Sequence, residues 1–319
     1  MGAQRASLHT EAGPSSDAHL VKTYIYLRVS LIAAVLLVFA ALVFETFGTG
    51  ELLNSISAYY YTPVRSVFVG ALVGMGFALI VLVGRPGPED AALNLAGMLA
   101  PVVAFVPTPV PEPCPIEGER CIPEAYLPGV VNNMAALFAV GFLALVFTAL
   151  SIRRLQRGDR WSLWGFVVAA VVWLGALLWF GFTDDWPLRA SFLSFAHYGA
   201  AVPMFVLIIV VVFVNGFSTE TPLVTIRDRE VTYRPVYQAI AWVMAATVAV
   251  GLVAWFMTRT DERPPPVIFW VEATVLLFFG IFWGLQTWEL RRQGPPPASD
   301  AAAAPAPAPA SRGSSQPVG

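Results

Sequence analysis

The chain has 319 residues, 57% of them hydrophobic and 13% charged, against roughly 45–50% and 25% in an average soluble domain. Lys+Arg total 19 and Asp+Glu 21, a net charge of -2, which excludes a basic nucleic-acid binder and an acidic solvated chain. A mean hydropathy of +0.66 and several uninterrupted apolar stretches near the roughly 20 residues a bilayer requires place it among all-α, polytopic transmembrane helical bundles.

Residues 1–23 are polar, with Pro14, Ser15 and Ser16, and read as a cytoplasmic tail ahead of an uncleaved first helix. Apolar runs bounded by charge or by Pro and Gly then predict eight spans within residues 24–288: about 24–47, 64–84, 91–107, 129–152, 162–183, 191–217, 235–258 and 266–288. The third is short and carries Pro101, which removes a backbone bond and kinks a helix. Residues 289–319, with an alternating Ala-Pro run at 304–309, lack the apolar surface to fold and read as a disordered cytoplasmic tail.

Positive charge supports the count. With eight spans and both termini inside, 14 of the 19 basic residues fall on the cytoplasmic side, including Lys22, Arg28, Arg85, Arg153, Arg154, Arg234 and Arg291, as Lys and Arg resist translocation. Removing the third span would scatter them across both faces. Cys114 and Cys121 then fall in an outer loop at 108–128, in the segment CPIEGERC. Disulfides persist on that side, so a bridge is expected there. Eighteen arginines against one lysine point to a GC-rich bacterial genome, hence to a bacterial cytoplasmic membrane. Gly70 with Gly74, and Gly280 with Gly284, are small-xxx-small pairs and read as helix-packing sites.

Ionisable groups at membrane depth are costly, which makes each a candidate site. Glu272 lies about five residues into the eighth span and His197 about six into the sixth, both toward the outer face at 1.5 Å rise per residue. Asn132 and Asn133 open the fourth span, Glu45 ends the first, and Arg65 follows Tyr59, Tyr60 and Tyr61 into the second. A polar pocket facing outward is expected, with Glu272 paired to Arg65 or His197; the tyrosines read rather as an interfacial aromatic belt. The inner half shows mainly Asn94, Asn215 and Gln286 near the boundary. Of three histidines, His9 and His19 lie in the N-terminal tail, so neither a three-histidine metal site nor a bis-histidine haem site can form in the bundle. Walker, HExxH, GxSxG and CxxC patterns are absent from the sequence. No cofactor, metal or nucleic acid is expected.

The stretches SISAYYYTPVRSVFVGALVGMGFALI at Ser55–Ile80 and FWVEATVLLFFGIFW at Phe269–Trp283 resemble two signature segments of a family of bacterial polytopic membrane proteins with no assigned reaction. Residues Asp90–Gly97 look like that family's third helix. The resemblance spans about residues 24–288 and implies a helical bundle with a shared outward-facing surface. More distantly, such proteins are similar to the seven-helix membrane hydrolases that include alkaline ceramidases and progestin-type receptors. The metal site of that superfamily needs several histidines and an aspartate, whereas this bundle offers His197, with Asn132 and Asn133 where a histidine would be expected.

Three functions follow as expectations. The first is non-enzymatic binding or movement of a small solute or lipid at a pocket lined by Arg65, His197 and Glu272. The second is an intramembrane lipid hydrolase using Glu272 and His197 as acid and base. The third is a structural membrane component that meets a partner through its outer loops.

Overall fold

The structure is a computed structural model that describes residues 14–85, 87–111, 114, 120–155, 160–183, 185–218, 224–226, 229–258 and 266–293. Each predicted span coincides with a helix: α1 Pro14–Thr49, α2 Arg65–Val81, α3 Pro88–Phe105, α4 Leu127–Leu155, α5 Arg160–Phe180, α6 Arg189–Phe217, α7 Arg234–Thr258 and α8 Val267–Gln293. A short antiparallel hairpin, β1 Val224–Ile226 with β2 Arg229–Val231, joins α6 to α7. Six helices, α1 and α4 to α8, are long and apolar enough to cross a membrane. The other two are α2, an apolar helix of 17 residues, and α3, which carries Glu89 and Asp90 in its first turn.

The helix limits follow from local chemistry. Gly50, at φ 73°, ends α1 and donates its N–H to the Thr46 carbonyl at 2.8 Å, a conformation in which a side chain would clash. Pro88 opens α3, where its missing N–H removes no helical bond. Asp90 holds the turn before it, accepting from the Gly84 N–H at 3.1 Å and the Asn94 amide at 3.2 Å. Helix α3 continues through Pro101, which is buried. The two terminal segments begin and end differently from the expected boundaries, since α1 starts at Pro14 and α8 continues to Gln293. Residues 1–13 and 294–319 lie outside the described residues.

The packing forms a closed ring. Helix α1 packs on α2, α2 on α3, α3 on α6, α6 on α7, α7 on α8, and α8 returns to α1. The α4–α5 pair stands outside that ring against α3, with α5 also touching α6. Its outward surface is apolar, with Phe147 and Trp164 well exposed, a coat suited to hydrocarbon and not to water. The start of α1 meets the end of α2 through Tyr24 Oη and the Val83 carbonyl at 3.4 Å. At the opposite end the first turn of α8 bonds to the segment after α1, Phe269 N–H to Asn54 O at 2.9 Å. The former is hereafter the terminal end, and the latter the distal end.

Glycine does set helix contacts, the tightest of them between backbones and not at the expected pairs. Gly70, Gly74 and Gly284 face open space and Gly280 meets the Val35 side chain, whereas a Cβ on Gly97 would lie 2.6 Å from the Gly76 carbonyl oxygen. The α2–α3 crossing is thus made by Gly76 and Gly97. Spacing alone marks candidate pairs but cannot say which face of a helix meets its neighbour.

Cys114 and Cys121 form the expected disulfide, with Cα atoms 5.7 Å apart, beside the bridge between Val110 and Cys121. Loop-closure entropy for so short a ring is worth about 2 kcal/mol. Replacing both cysteines with serine is expected to speed proteolysis between α3 and α4 and to leave helical circular dichroism unchanged. A loss of helix would show that the bridge supports the bundle itself.

Candidate functional site

The segment between α1 and α2 does not lie flat across the distal end. A 3-10 turn at Ser57–Tyr61 packs into the ring, with Ser57, Tyr59 and Tyr60 buried. Non-helical backbone buried in this way needs partners for its N–H groups. Glu272, in the second turn of α8, supplies them: its carboxylate accepts from the Ile56 N–H at 2.5 Å and from Ser57 Oγ at 3.4 Å. Ser55 Oγ accepts the Ala58 N–H at 3.1 Å.

The tyrosines are therefore structural anchors and not the interfacial belt expected from sequence. Tyr59 shares a hydrogen bond with Thr46 Oγ1 at 2.8 Å and stacks obliquely on Phe269. Tyr61 donates to the Thr108 carbonyl at 2.9 Å. Tyr60 accepts from Arg65 Nη2 at 3.0 Å, and that guanidinium lies 4.5 Å from the Tyr60 ring centre and 5.2 Å from that of Tyr126. Such cation–π contacts hold a charge without an anion. Burial pushes the Tyr60 and Tyr61 phenols up, so both are neutral at physiological pH.

Beneath this turn lies a cavity of about 70 Å³. Its walls are apolar, among them Phe68, Met75, Met204 and Phe279, and its polar lining is Ser57, His197 and Glu272. His197 is 2% exposed and donates from Nδ1 to the Val106 carbonyl at 2.6 Å. That bond fixes the tautomer and leaves Nε2 as an acceptor. No hydrogen bond joins His197 to Glu272. Both nevertheless line the same space.

Of the residues singled out from sequence, Glu272 and His197 thus converge, and Arg65 does not join them. The expected Glu272–Arg65 or Glu272–His197 pairing is replaced by the Ile56 and Ser57 donors, because the buried turn needs acceptors and the arginine is held by Tyr60 and Tyr126. Asn132 and Asn133 lie on α4, outside the ring, with Asn132 exposed. Glu45 is half-buried, and its backbone carbonyl accepts from Thr49 Oγ1 at 2.9 Å. Ser57 is a site residue that the sequence reading missed. The spacing of Ser55 and Ser57 just before three tyrosines was its available signal. Among the described residues no group of three or more His, Cys, Asp or Glu side chains could hold a metal ion.

No family model, curated protein or solved structure matches the chain.

Proposed function

We propose that this chain is a multi-pass protein of a bacterial cytoplasmic membrane, crossing it eight times with both termini inside, and that it binds a small, largely apolar molecule or the end of a lipid in its distal cavity. The observation that carries the reading is the composition of that cavity. Apolar walls with a few polar groups at one place are the usual makeup of a small-molecule site, and here those groups are Ser57, His197 and Glu272. A bound hydroxyl or amine would donate to the free lone pairs of Glu272 while His197 Nε2 accepts a second donor. The orientation is supported by Arg28, Arg85 and Arg234 at the terminal end. Acid–base hydrolysis has less support, since the two candidate groups each bond to the loop or backbone and not to each other.

Native mass spectrometry of the detergent-purified protein tests the reading, comparing wild type with Glu272→Gln and with Ala201→Phe, which fills the cavity from α6. A lipid or small solute retained by wild type is expected, with occupancy falling about tenfold in each variant, equivalent to ~1.4 kcal/mol. A wild-type spectrum with nothing retained, or a species retained equally by all three proteins, would overturn it.

A further inference from the structure

At the terminal end the ring closes over a second polar group of side chains, distinct from the distal cavity. Arg28 comes from α1, Arg85 from the turn after α2, Glu89 from α3, Asn215 from α6, Tyr237 from α7, and Gln286 and Glu289 from α8. Glu89 is 6% exposed and Glu289 9%. Arg28 Nη1 donates to the Gln286 carbonyl at 2.9 Å, Gln286 Nε2 to Asn215 Oδ1 at 2.8 Å, and Tyr237 Oη to Glu289 Oε2. Arg28 also stands over the Trp283 ring. Glu89 is hydrogen-bonded to Asn215, and the charges of Arg28 and Arg85 act on both Glu89 and Glu289.

What this layer lacks is direct pairing. Among the described residues, no ion pair within 4.0 Å links the two carboxylates to the two guanidiniums. Glu89 Oε2, Glu289 Oε1, Arg28 Nε and Arg85 Nη1 are each buried without a hydrogen-bond partner. Charges taken out of water and left partly unpaired are unfavourable for stability. Each orphaned atom is buried, and a proton is the smallest addition that turns a bare carboxylate oxygen into a donor for a neighbouring acceptor.

The geometry points to a proton-binding carboxylate, Glu89 or Glu289, in the layer that seals the terminal end of the ring. One proton passes from water on that side to a carboxylate oxygen, forming an O–H bond as a hydronium O–H breaks, while Arg28 and Arg85 keep their charge. The other titratable or charged groups nearby are Tyr24 on α1, Asp90 on α3, and Tyr233 and Arg234 where α7 begins. Loss of one negative charge weakens the electrostatic attraction of this layer's carboxylates for Arg28 and Arg85, and with it the closure of the helix ends that carry them. The inference does not depend on what the distal cavity binds.

Infrared difference spectroscopy of the full chain in lipid nanodiscs, titrated from about pH 4 to about pH 9, tests it. Subtracting the response of an E89Q/E289Q double variant from that of wild type isolates these two groups. The expected result is a protonated-carboxyl band that titrates with about one proton per chain. Y237F keeps both carboxyls but removes the hydroxyl donor to Glu289, and moves the midpoint of that band by about one pH unit; it also covers a double variant that fails to assemble. A flat difference spectrum, or a Y237F titration superimposable on wild type, would overturn the proposal.

Discussion

Gly97→Leu lowers the stability of the detergent-solubilised protein by about 3 kcal/mol, at the upper end of what overpacking a filled contact costs. The reason is backbone against backbone. At Gly97 even a Cβ would stand 2.6 Å from the Gly76 carbonyl oxygen and 2.6 Å from Ile80 Cγ1, and the reciprocal Cβ at Gly76 would stand 2.8 Å from the Gly97 carbonyl oxygen. A flexible side chain could move aside, but two helix backbones can only part, and α2 and α3 are neighbours in the ring that encloses the cavity. Gly70→Ala on the same helix meets nothing within 4 Å and changes stability by less than about 0.5 kcal/mol. Thermal unfolding of the two variants beside wild type measures the contrast. Equal midpoints would mean that α2 and α3 do not cross at these glycines.

The second large effect separates the two roles of Glu272. Glu272→Leu removes the acceptor of the buried Ile56 N–H and of Ser57 Oγ, and a buried donor left unmatched costs about 1–3 kcal/mol. Glu272→Gln keeps an amide oxygen for Ile56 and loses the charge, so it destabilises by less than about 1 kcal/mol while weakening a ligand held by the carboxylate. Limited proteolysis between α1 and α2 is expected to be fast in the leucine variant and near wild type in the glutamine variant. Matching cleavage rates in the two would show that the carboxylate does not anchor the turn.

Much of the candidate site was legible in the sequence because an ionisable residue inside an apolar run is conspicuous. Glu272 and His197 stood out in that way, and their distances from the same span ends placed them at one depth. Charge complementarity predicts a carboxylate partner for Arg65, whereas the folded chain offers it Tyr60 and Tyr126 at 4.5 and 5.2 Å. The tyrosines depart from expectation for a related reason. Their position between two spans suggests an interface, and only the inward fold of the 50–64 segment buries them.

The terminal layer was harder to see. Glu89 precedes its apolar run, Glu289 follows one, and Arg28 and Tyr237 lie near the starts of theirs, so each reads singly as a boundary residue in contact with water. Closure of the ring brings these helix ends together and removes that water.

Sequence by itself determined the number, type and approximate limits of the helices, since hydrocarbon admits backbone only when its own polar groups are bonded within the segment and apolar runs record that requirement residue by residue. It also determined the cysteine pair, which lies close along the chain. The tertiary structure decided which helices enclose the cavity, why α4 and α5 stand outside, and which glycines touch. Those depend on the face each helix turns to its neighbour. Where helices are apolar all round, that choice rests on side-chain fit between distant segments and leaves no period in the sequence to read.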